Sequence, residues 1–147
     1  MKHFINYLIG SQSPKTSPSI SREGTEIADR RKFPRLEVPQ GVPLEAEFIT
    51  QDEILWETRC IDISSEGAQI ECSEDGYPKA EEGDKALLKL QLGGVKVDLP
   101  TIVMSREKNR INLFLPLDMI SQNQEQEEKF FRILLTLDRA IRRRKFQ

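Results

Sequence analysis

Between Val42 and Leu117, apolar residues recur at every second position in six short runs, separated by turn residues about every ten positions. In VPLEAEFIT, Leu44, Ala46 and Phe48 alternate with Glu45 and Glu47; in GAQIECS, Ala68, Ile70 and Cys72 alternate with Gln69, Glu71 and Ser73. ILWETRCID, KALLKLQL, VKVDLPTIVM and RINLFLPL complete the set, with Ala86, Leu88, Leu90 and Leu92, then Val95, Val97 and Leu99, then Ile111, Leu113 and Leu115 as their inward residues. A run with one wet and one dry face is a strand lying on a core. With no helical period between them, the six are expected to pair antiparallel and close into a small barrel, which removes free sheet edges. Gly93 and Gly94 in LGGVK tolerate positive φ and mark a tight hairpin. Pro100 puts its own position at an edge or a bulge, because it has no N–H for a ladder.

After the barrel the period changes to 3.6, with Phe130, Ile133, Leu134, Leu137 and Ile141 on one stripe. Acidic residues open this segment and basic ones close it, in the sense that suits a helix dipole, and Ser121 with Gln124 reads as its capping box. An amphipathic helix is expected from about Gln122 to Arg144. Residues 10–29 are rich in Ser, Pro and Gly and show neither period, so residues 1–29 read as a flexible leader carrying a short apolar peptide, HFINYLI. The expected organisation is therefore a leader (1–29), an all-β barrel domain (30–120) and a terminal helix (121–147) packed on it or extending from it.

Composition removes most chemistry. The single histidine, His3, lies in the leader, which excludes a His-centred triad or a His-rich zinc site within the barrel. No phosphate-binding glycine loop occurs, and no nucleophile stands beside a base, so the protein is expected not to be an enzyme and to need no metal or cofactor. Cys60 and Cys72 form no metal-binding or disulfide pattern and read as small core residues of a protein kept in a reducing cytoplasm. HFINYLI is too short for a bilayer span, so no membrane insertion is expected. A net charge of -2 means that any attraction for anions must be local.

Two stretches supply that local chemistry. RRKFPR, at 30–35, gathers four positive charges just ahead of the first strand, and Pro34 restricts the segment. DISSEG, at 62–67, combines Asp62 and Ser64, which can bond nearby backbone, with Gly67, expected to take a conformation that other residues resist. A carboxylate accepts from the N1 and N2 hydrogens of guanine, while a guanidinium fork matches guanine O6 and N7 or a phosphodiester. The two stretches thus complement different edges of one base.

Arg31 and Arg35 as RxxxR, followed by Asp62, Ser64 and Gly67 as DxSxxG, resemble the two-part signature of PilZ domains, bacterial receptors for cyclic diguanylate (cyclic di-GMP). The resemblance runs from about Arg30 to Leu117, and the trailing helix is similar to the family's usual ending. It implies a PilZ-like split barrel in which RRKFPR lies across the barrel and closes over the ligand. Arg31 and Arg35 would then grip phosphates and guanines, Asp62 and Ser64 would hold a guanine edge, and Gly67 would keep the bend open. Arg30, directly before the motif, is where a basic residue favours a stacked ligand pair in that family. One departure is INLF, with Asn112 where many members carry glycine.

The leading expectation is a cytoplasmic cyclic di-GMP effector that changes conformation on binding and signals through an unidentified protein partner. HFINYLI and the terminal helix are its candidate contact surfaces, and the helix stripe leaves a homodimer open. Two other readings stand beside it. One is a PilZ-fold interaction module that binds no nucleotide, which Asn112 motivates; the other is a nucleic-acid-binding barrel, motivated by DRAIRRRK at 138–145 and opposed by the acidic whole and sparse aromatics.

Overall fold

Strands form where the two-residue period predicts them, and one more forms ahead of them. The computed structural model describes residues 34–73, 76 and 78–145. The strands are β1 (Leu36–Glu37), β2 (Glu45–Ile49), β3 (Leu55–Ile63), β4 (Gly67–Cys72), β5 (Lys85–Leu92), β6 (Val95–Glu107) and β7 (Arg110–Phe114); the helices are α1 (Leu117–Ser121) and α2 (Gln124–Lys145). The leader, with Arg30 and Arg31, lies outside the described residues.

Antiparallel pairing runs β3-β2-β5-β6-β7-β4, and β4 returns to pair with β3, so six strands close a barrel. The extra strand, β1, adds to β3 beyond the end of β2: β2 pairs with Leu55–Thr58, whereas Leu36 and Glu37 lie opposite Ile63 and Asp62. The alternation expected from sequence fills the interior. Ala46, Phe48, Ala68, Ile70, Leu88, Leu90, Val97, Leu99, Ile111 and Leu113 are all buried. Gly93 and Gly94, at φ 59° and 82°, form the β5–β6 hairpin. Pro100 pairs with Leu87 in the half of β6 that precedes the β7 ladder, which starts at Ile102, so the missing N–H faces no strand partner there. On the same half, the Asp98 N–H donates to Gln126 Oε1 at 2.9 Å, and the helix thereby covers part of the edge.

The end of the barrel departs from expectation in two places. The last strand stops at Phe114, and Pro116 opens the short helix α1 instead of continuing the run to Leu117. Ser121 is consequently the last residue of α1 and caps nothing; its hydroxyl donates to Glu127 Oε2 at 2.8 Å. Asn123 caps α2, its Oδ1 accepting from the Gln126 N–H at 3.2 Å while its carbonyl accepts from the Glu127 N–H at 3.0 Å. Asn and Ser are equivalent caps on intrinsic preference, so it is the α1 turn that decides where the chain re-enters helix and which of them caps it.

Phe130, Ile133, Leu134 and Leu137 on α2, with Ile120 on α1, are almost wholly buried against the barrel. Burying such side chains contributes about 1.5–3 kcal/mol each, so the helix belongs to the core of this chain and its apolar stripe is spent there. The corrected cap has a measurable consequence: Asn123→Ala lowers unfolding free energy by about 1 kcal/mol in urea titrations, whereas Ser121→Ala stays within about 0.5 kcal/mol of the parent.

Candidate functional site

Along β3, Thr58 and Cys60 share the inward face, and a strict two-residue period would turn Asp62 inward as well. It does not, because the register slips. Cys60 lies opposite Ile70 and Asp62 opposite Gln69, so two residues of β3 answer one of β4 and Ile61 is the extra residue of a β-bulge. Past the bulge, Ile63 is wholly buried and Asp62 faces outward. The bulge also serves the incoming segment: the Ile61 carbonyl accepts from the Val38 N–H at 2.9 Å.

That segment carries Arg35 to Asp62. Pairing of Leu36 with Ile63 and Glu37 with Asp62 sets the chain alongside β3, and Arg35 Nε stands 3.0 Å from Asp62 Oδ1. The N–H does not aim along this line, so among the described residues Oδ1, itself buried, receives no well-directed hydrogen bond and the contact is an ion pair. Burial raises the Asp62 pKa above its ordinary 3.8, against the opposing pull of Arg35 and Arg110. Arg35 keeps 64% of its side chain exposed while Asp62 keeps 13%, which makes the pair a weak contribution to stability and an easy one to exchange.

Ser64 builds the adjoining turn. Its Oγ accepts from the Glu66 and Gly67 N–H groups, each at 3.2 Å, and its own N–H donates to the Gly67 carbonyl at 2.8 Å. Asp62, expected to share in this backbone bonding, meets Arg35 instead. The expected reason for Gly67 also changes. Its φ is not positive, so left-handed conformation is not what selects glycine; a Cβ there would stand 2.9 Å from the Leu113 carbonyl, and glycine lets β4 and β7 approach.

Register extends the site past both motifs. Gln69 pairs with Asp62 on one side and Asn112 on the other, and Asn112 pairs with Ser105, where a second bulge at Met104 shifts the β6 register. These side chains link into a row: Gln69 Nε2 donates to Asn112 Oδ1 at 3.0 Å, and Asn112 Nδ2 donates to Ser105 Oγ at 2.9 Å. Beside the row, Glu71 accepts from Arg59 at 3.0 Å and from Arg110 at 3.3 Å, which holds its carboxyl below the usual range. Gln69, Arg110 and Ser105 were not singled out from sequence. Their outward positions are readable from alternation, but which of them share a row depends on two bulges that leave no composition signal.

Of the sequence-predicted residues, Arg35, Asp62, Ser64 and Gly67 lie together at this end of β3, and Arg30 and Arg31 lie outside the described residues. Cys60 and Cys72 are free and buried, and burial pushes the Cys60 thiol up to about 12, far from any reactive range. At the basic end of α2, Arg142 pairs with Asp138 at 3.0 Å and Arg144 donates to the Gln40 carbonyl at 2.8 Å. Among the described residues no group of His, Cys, Asp or Glu could hold a metal ion, and no helix is long and apolar enough to cross a membrane.

Comparison with known proteins gives one family match: the PilZ domain, over residues 29–132. No curated protein matches the chain. Among solved structures, an uncharacterized Legionella protein is similar at 23% identity and a TM-score of 0.46, covering 77% of this chain and 99% of its own. The close β4–β7 approach is open to test by Gly67→Ala. Because the obstructing atom is backbone, the variant loses about 1–3 kcal/mol of unfolding free energy in urea; an unchanged midpoint would mean that the strands part freely.

Proposed function

The chain belongs to the PilZ domain family, and on that footing we propose that it is a receptor for cyclic diguanylate that has no catalysis of its own and acts in the cytoplasm through a protein partner. The observation that carries this reading is the Arg35–Asp62 contact at 3.0 Å, one residue from each half of the signature. An outward carboxylate with a buried, poorly satisfied oxygen is a ready acceptor for guanine N1 and N2, and Ser64, whose lone pairs serve the turn, holds its O–H only by a long 3.4 Å bond to the Gly67 carbonyl that a ligand acceptor can replace. Arg31 and Arg35 take the phosphodiesters and the remaining guanine edge, each charge-assisted contact contributing about 1.5–3 kcal/mol where water is excluded. Arg30 extends the same cluster and supports a second, stacked ligand.

Ligand binding replaces the Arg35–Asp62 ion pair. The residues from Pro34 to Pro39 are held by two ladder residues on β3, the Val38–Ile61 bond and the buried Leu36 side chain, a small set to rearrange. The segment also lines a groove of about 880 Å³ with Asp138, Ile141, Arg142 and Arg144 of α2, so its movement reshapes a surface that a partner or a second copy could read. The nucleic-acid reading loses support from the pairing of Arg142 and Arg144 within the chain. The interaction-module reading keeps one observation, the Asn112 side chain spanning Gln69 and Ser105 on β7.

Titration calorimetry with cyclic diguanylate decides between receptor and module. The wild type binds, and the Arg31→Ala, Arg35→Ala double variant loses binding by at least about 100-fold; an absence of heat with the wild type sinks the receptor reading. A second expectation follows from Asp62. Donors on the ligand favour its ionised form, so affinity is present above its raised pKa and is lost as pH falls through it, with a proton released on binding near that pKa. Affinity measured from neutral to mildly acid pH therefore declines earlier than an ordinary aspartate would impose. In Asp62→Asn binding is weak throughout and this decline is absent.

A further inference from the structure

We propose that Arg110, on β7, is a third arginine of the nucleotide site, contacting the part of the ligand that lies beyond Asp62 over Gln69 and Asn112. The proposal rests on the receptor reading above and concerns a residue outside both halves of the signature. Arg110 pairs in register with Glu71, two residues along β4 from Gln69, yet its Nη1 leans to 3.5 Å from Gln69 Oε1. Gln69 is the cross-strand partner of Asp62, so the guanidinium is drawn toward the carboxylate that opens the site. Arg110 is among the charges that act on the Asp62 carboxyl, consistent with that proximity.

The surface beneath it is arranged for a planar polar ligand. Asp62, Gln69, Asn112 and Ser105 occupy consecutive strands, a row about 14 Å long at about 4.8 Å per strand, and a guanine edge held at Asp62 covers only its beginning. Hydrogen bonds lock the Gln69 and Asn112 carboxamides into one orientation, which leaves a preorganised floor of donors and acceptors. Arg110 stands at its rim with about half of its side chain exposed and its Nη2 engaged by no acceptor among the described residues.

Moving Arg110 onto a ligand leaves no charge stranded. Glu71 is shared, and when Arg110 departs its other oxygen keeps the Arg59 contact at 3.0 Å. Glu71 thus competes with the ligand for Arg110, while Arg59 is a bystander.

Calorimetry on the full chain with cyclic diguanylate tests this with four variants whose folding is checked by thermal melting. Arg110→Ala weakens binding about 10- to 100-fold. Arg59→Ala, which removes the other Glu71 ion pair, changes affinity by less than about threefold. Glu71→Gln tightens binding, an effect opposite to structural damage, and the gain disappears in the Arg110→Ala, Glu71→Gln double variant. If the wild type binds and Arg110→Ala matches it, or if the Glu71→Gln gain survives without Arg110, the role assigned to Arg110 is wrong and the receptor reading stands. If the wild type does not bind at all, the receptor reading falls and takes this proposal with it.

Discussion

One surplus residue in β3 determines how the candidate site is built. Without the bulge at Ile61, the alternation that buries Cys60 would carry on to bury Asp62 and expose Ile63, putting a carboxylate in an apolar core. With it, the carboxylate turns outward and the isoleucine fills the interior. The same bulge presents the Ile61 carbonyl to Val38, which fastens the segment that brings Arg35 across. A single register shift thereby aims one member of the site and anchors the approach of another.

The electrostatics around that residue are poised for exchange. Asp62 is mostly covered and its charged form is penalised by desolvation, yet its nearest cation among the described residues is a largely exposed arginine in imperfect geometry. Such a pair stabilises the fold little, and its replacement by better-directed donors costs little. Neighbouring Glu71 is the opposite case, a half-buried carboxylate doubly bridged by arginines and held ionised. The closed barrel carries both groups on strands paired along both sides, whereas the segment carrying Arg35 is attached by a two-residue strand and the buried Leu36.

The terminal helix shows how packing redistributes features that sequence presents as available. Its stripe of Phe130, Ile133, Leu134 and Leu137 is consumed by the barrel, and at its basic end Arg142 is paired with Asp138 and Arg144 donates to the Gln40 carbonyl. What remains accessible is the polar outer face and the groove it shares with the segment from Pro34 to Pro39. Gln126 is a smaller instance: an unremarkable glutamine in the first turn becomes the acceptor for an edge N–H of β6.

The barrel was legible because alternation is a local property: each inward residue of GAQIECS or KALLKLQL declares its face through its neighbours alone. RxxxR and DxSxxG were legible for a similar reason, as fixed spacings of chemically distinctive residues. Ser121 was misassigned because a cap depends on where the preceding turn ends, and Gly67 was given the wrong reason because the Leu113 carbonyl that excludes a Cβ comes from a strand more than forty residues away. Sequence by itself determined which residues are apolar, how often they recur and what chemistry the two motifs can offer, since these are intrinsic to side chains and spacing. Only the tertiary structure decided that Asp62 faces outward, that Arg35 meets it and that Gln69, Asn112 and Ser105 continue its row. Register between strands is a long-range choice, set when the whole barrel closes at once.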